Sequence, residues 1–506
     1  MLAIATLGAV GVAAFADGAA AGPRARGVRD VATIVRNLAA GKPVTLIGGT
    51  LEGELRLPLD VRAPLTLRDV TLLKPIIGSS TSFGRLVDLR GSRLKAGADF
   101  SGATFDGPAL FAGLHAEGKH HVRFDLATFR GSALFGGATF DGPTTFAASE
   151  FGGASHFRGV HFNAPADFDS SSFRDSADFS GSTFTAAARF NAVGFRSVAD
   201  FSGGDFSGKA MFAATRFSQR ADFIGTIFGD ANNAPASFRG ARFDAGASFL
   251  DAEFDGSATF DLAEAANDMV FDGAEFDARA SFSTVRFLGD TSFSQADLFG
   301  FTNFDQAVLQ KLDLDGAVFE QAARLALPKA GGTTGHVDEL RLDPSDINRI
   351  GSGAGSRRER EHALKLIEAA ARRGGDVSAA NTAYLRLRIL RRHDRSAVPR
   401  FLDWLGLWLI AGYLVLPWHQ VIILPLLLVL GGALRKLRAR RGKAKPVSWR
   451  NAFVRSFLSF WRLKIHEGTA WSAAEALLYK AVIVLLILSL ANVVPSVRDL
   501  VKGVLF

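Results

Sequence analysis

The chain has 506 residues, 44 of them Phe and none Cys, with a formal net charge of +8. That length exceeds one typical domain, and the lack of Cys excludes a disulfide framework and any thiolate metal site. Carboxylates outnumber bases through the middle of the chain and the basic excess falls after residue 340, which argues against a single basic nucleic-acid surface.

Residues 2–21 form a short apolar run in which Ala14-Phe15-Ala16 has the small-x-small pattern of a cleavage site. The segment 1–21 therefore reads as signal-peptide-like, although no Lys or Arg precedes the run. Residues 28–40 then place Val28, Val31, Ile34, Val35 and Leu38 on one helical face, with Gly41 as the C-cap. This helix is predicted to cover the first coil of a repeat that begins just after it, since an open solenoid end needs a cap. Residues 44–97 carry Leu46, Leu51, Leu57, Leu65, Leu67, Leu72, Val87, Leu89 and Leu94. They read as irregular first coils, with a loop near residues 74–82.

From residue 98 to 319 one pattern dominates. Phe recurs at 124, 129, 135, 140, 146, 151, 157 and onward to 228, with gaps that alternate five and six, a period of eleven. Repetition at a short fixed period is the mark of a solenoid. A helix is excluded, because a five-residue step rotates by about 140° and would put successive Phe on different faces. Gly in a helix interior would also cost about 1 kcal/mol each. In a strand, each Phe and the small residue two before it point the same way, and the Gly, Asp and Ser between them suit corners. Extra residues around His115 to His121 and in the stretch 229–236 are expected to be corner loops that leave the register intact. Ala265 takes the place of one Phe.

The units Ala98-Asp99-Phe100-Ser101-Gly102, Ala103-Thr104-Phe105-Asp106-Gly107 and Ala221-Asp222-Phe223-Ile224-Gly225 resemble the pentapeptide repeat, A(D/N)LXX, with Phe for Leu. The resemblance covers residues 98–319 and implies a right-handed quadrilateral β-helix with four five-residue sides. The added residue on every second side implies about 22 residues per coil. Some members of that family mimic DNA toward DNA gyrase, which the acidic repeat permits.

Residues 320–400 read as a loop followed by an α-helical hairpin, residues 357–373 and 378–392, broken at Gly374 and Gly375. Residues 401–506 read as a membrane domain, because a span needs about 20 apolar residues. Interfacial helices are expected at 402–412 and 449–463, and spans at 414–434 and 477–494. The basic cluster 435–445 lies between the spans, and Lys480, Asn492 and Pro495 mark the second. Trp408, Gly412, Tyr413 and Pro417 loosely resemble the tail of membrane-bound bacterial pentapeptide proteins; a potassium-channel-like filter is not present.

The predicted fold class is mainly β: a right-handed quadrilateral β-solenoid with an N-terminal helical cap, followed by a C-terminal α-helical hairpin and two transmembrane helices. No P-loop, G-x-S-x-G or H-E-x-x-H motif occurs, so no catalysis, cofactor or metal is expected. His115, His120, His121, His156 and His161 are close enough in sequence to suggest a metal site, but ordinary solvated histidines are the reading. The expected function is a membrane-anchored scaffold with the repeat on the extracytoplasmic side. It would present a rigid acidic β-helix to an unknown protein partner, with the lipid bilayer as a second partner, a homo-oligomer compatible, and no nucleic acid. Two alternatives stand beside it: a subunit of an ion-conducting assembly, and a DNA-mimicking, topoisomerase-binding protein if the repeat is cytoplasmic.

Overall fold

The computed structural model describes residues 30–229, 233–304, 306–319 and 336–342, most helical residues between 361 and 392, and isolated positions from 425 to 484. The chain divides into two units, Met1–Arg189 and Phe190–Phe506, and in each the β-structure is a parallel solenoid with four faces per coil.

One coil of the first unit shows the construction. Face one is Ala98–Asp99, face two Thr104–Phe105, face three Ala109–Leu110 and face four His115–Ala116; the chain returns to face one at Val122–Arg123. Each strand pairs in parallel with the strand one coil away, as in Thr104↔Thr128, Ala109↔Ala133 and Ala98↔Val122. The second unit repeats the plan at Ala210–Met211, Arg216–Phe217, Ala221–Asp222 and Ile227–Phe228.

The alternating gap has a geometric cause. Corners from face one to two and from three to four are tight turns in which the residue two after Phe has positive φ. Gly102 lies at +66° and Ala148 at +55°, and Ala103 N–H donates to Phe100 O at 3.1 Å. The other two corners lack that closure and take one residue more. Five residues thus cross a tight corner and six a wide one. Both insertions fall at the wide corner from face four to one, between Ala116 and Val122 and between Phe228 and Ala236. Register survives them, as Val122↔Thr144 and Ala236↔Ala258 show. Residues 230–232 lie outside the described set.

Strand alternation sends every Phe of the pattern inward, where the rings stack coil upon coil. Phe105–Phe129–Phe151–Phe173 have centroids 4.7, 4.8 and 4.4 Å apart, and Phe201–Phe223–Phe249–Phe271 have centroids 5.0, 4.7 and 5.0 Å apart. Rings on opposite faces meet edge to face, as in Phe135–Phe146 at 85°. Such pairs add about 0.5–1.5 kcal/mol to simple burial.

The inward positions after the tight corners are mostly Ala, Val, Ser or Thr, and several of the hydroxyls bond a backbone carbonyl of the preceding coil. Ser149 Oγ donates to Phe124 O and Ser182 Oγ to Phe157 O, each at 2.5 Å. Ser171 occupies the same kind of site, but its buried hydroxyl has no partner. Ser182→Ala should therefore lower stability by about 1 kcal/mol, while Ser171→Ala leaves it unchanged or raises it. Urea midpoints of the two variants measured side by side check this.

The N-terminal helix is Val31–Ala39, not 28–40. Asp30 caps it by accepting from Ala32 N and Thr33 Oγ1 at 3.1 and 2.6 Å, which fixes its start. It buries Ile34 and Leu38 and packs against Val44–Ile47, Leu55–Arg56 and Asp60–Val61, so it does cover the first coil. The coils expected to be irregular are regular: Val44↔Leu65 and Leu65↔Val87 are in register. The expected loop at 74–82 is instead ordinary coil, with strands Ile76–Ile77 and Ser82–Phe83, because Leu, Val and Ile fill the interior in place of Phe. Near the far end the corner between faces two and three straightens into the strands Arg286–Ser292, Val308–Leu314 and His336–Leu342.

A helical hairpin comes next. The helix Val377–Arg392 faces helical residues between 361 and 372, joined by two Arg391–Glu361 hydrogen bonds of 2.9 and 2.6 Å. The fold class needs one correction. Among the described residues no helix is long and apolar enough to cross a membrane, so the two transmembrane helices are not supported. The segments 414–434 and 477–494 read as spans on apolar content alone, and crossing requires that content on one continuous helix. Apart from isolated positions, these segments, the interfacial helices, the basic cluster and residues 1–21 lie outside the described residues.

Candidate recognition surface

With the interior closed by Phe, function is left to the outward side chains, one column per face position with a rise of about 4.8 Å per coil. Face four of the second unit carries a run of carboxylates flanked by Ile227 and Val318. Its outward strand residues Ile227, Glu253, Glu275 and Asp297 are in register. The column two residues on adds Asp255 and Asp277, and Asp205 stands at the start. Among the described residues of these columns there is no Lys, Arg or His. The Glu275 carboxyl is pushed above the usual carboxylate range by its burial, then by Asp277, Asp297 and Glu253 around it.

A carboxyl whose folded-state proton affinity exceeds that of the unfolded chain stabilises the fold when protonated. That contribution is lost as pH rises from the unfolded pKa through the raised folded one. Glu275→Gln is therefore expected to raise the melting temperature at neutral pH, with the difference vanishing below the carboxylate range. Thermal scans against pH read this directly.

Other faces neutralise themselves. On face two of the second unit Arg216 meets Asp244 at 2.8 Å and Arg242 meets Glu264 at 3.0 Å. On face three Arg220 bonds Asp222 at 2.6 Å. In the first unit Asp88 is wholly enclosed; burial opposes its charge, but Arg90 and Arg68 hold its carboxyl below the usual range.

The histidines singled out from sequence do not converge. His115 and His161 lie on face four, two coils apart with Thr139 between, whereas His156 lies on face three beside Asp178 at 4.0 Å. His120 and His121 are on the corner insertion. No group of three or more His, Cys, Asp or Glu able to hold a metal occurs among the described residues. Asp141 instead braces the insertion. It accepts from Asn163 Nδ2 at 2.9 Å and from Gly118 N at 3.4 Å, and lies 3.1 Å from His115 Nε2. Hydrogen bonding from Asn163 lowers its pKa first, with His115 and Gly118 adding to it against the burial that raises it. Gly142 completes the brace: a Cβ there would stand 2.1 Å from His120 O.

The acidic columns do not stand out in the sequence as a site. Their signal is a spacing of one whole coil, 253 to 275 to 297, visible only once four sides per coil are known. The family model described as Pentapeptide repeats (9 copies) matches residues 124–172 and 149–194. No curated protein matches the chain. The matched repeats and the four-faced parallel coils show pentapeptide repeats wound into a parallel β-solenoid.

Proposed function

We propose that this chain is a non-catalytic scaffold whose second unit presents the carboxylate ladder of face four to a basic surface of a partner protein. The observation that carries it is the register of Glu253, Glu275 and Asp297, with no Lys, Arg or His among the described residues of that column. Side chains on hydrogen-bonded coils are held at fixed spacing before binding, so little ordering is lost on association. Complementary charge then sets on-rate and partner choice.

Calorimetric titration with an oligolysine peptide tests the reading. Binding should weaken steeply with salt and fall about tenfold or more in Glu253→Gln/Glu275→Gln/Asp297→Asn, a loss of about 1.4 kcal/mol. Equal binding by the triple variant would sink it. The same ladder favours a second reading, imitation of a nucleic-acid backbone toward a DNA-binding protein; competition by duplex DNA for the same partner separates the two.

A further inference from the structure

We draw no further inference here: the strongest candidate, the outer edge of the strand His336–Leu342 where it follows Val308–Leu314 in the row of long parallel strands, carries nothing because nothing among the described residues shows what covers it.

Discussion

Phe157→Ala is expected to destabilise the first unit by about 3–5 kcal/mol, the upper range for a buried aromatic truncation. Phe157 is fully enclosed, stacked between Phe135 at 4.8 Å and Phe179 at 4.6 Å and met edge-on by Phe146, Phe151 and Phe168. The cavity left behind cannot close easily. Phe157 N–H donates to Asp178 O at 2.6 Å, so the coils above and below are fixed by the ladder at a spacing set by backbone hydrogen bonds. Because each coil rests only on its neighbours, the damage should be local. Hydrogen exchange should rise in the coils flanking residue 157 while those around Val44–Ile47 stay protected. An outward corner gives the contrast. Leu126 is exposed and held at φ 61°, so Leu126→Gly should gain about 1 kcal/mol by relieving a left-handed conformation. Equal losses at both positions would contradict the inward stack as the source of stability.

The legible part of the fold comes from periodicity. Phe spacing alone separates strand from helix, puts the rings inside and assigns the intervening Gly, Asp and Ser to corners, because side-chain direction in a strand is fixed by position. It also marks the two insertions, since each adds residues without resetting the pattern. Other features are not legible, each for a different reason. Thr284 and Leu262 sit at positive φ, +58° and +63°, although a β-branched or bulky residue argues locally against it. Stacking of the coil decides there, not intrinsic preference. The first coils read as irregular because Leu, Ile and Val replace Phe, yet burial needs only an apolar side chain of fitting size, and Leu55↔Ile76 and Ile76↔Ala98 keep register. The spans rest on apolar content, a measure that counts residues without establishing one continuous helix. The acidic face is hidden for a simpler reason: its members are 22 positions apart, and proximity at that distance exists only after the coil closes.

The second large effect is a coupling. Ala265 interrupts the ring column of face two, where Phe243↔Ala265↔Phe287 are in register, and a bare Ala there would leave a void. Four residues on, across one wide corner, Met269 is wholly buried in the inward column of face three, between Ala247 and Thr291. A large residue thus stands where its column is small, beside a small residue where its column is large. Met suits this role, since an unbranched thioether can bend into an irregular gap. Met269→Ala should cost about 2–5 kcal/mol by opening the void, and Ala265→Phe should cost about 1–3 kcal/mol by crowding the Met side chain. The double variant restores the regular Phe-and-Ala plan of the neighbouring coils and should unfold close to the parent. The coupling energy from the four-member denaturation cycle would then be at least about 2–3 kcal/mol in favour of the pair. Additive losses would mean that Met269 does not fill the space Ala265 leaves and that the stack tolerates a genuine gap at that coil.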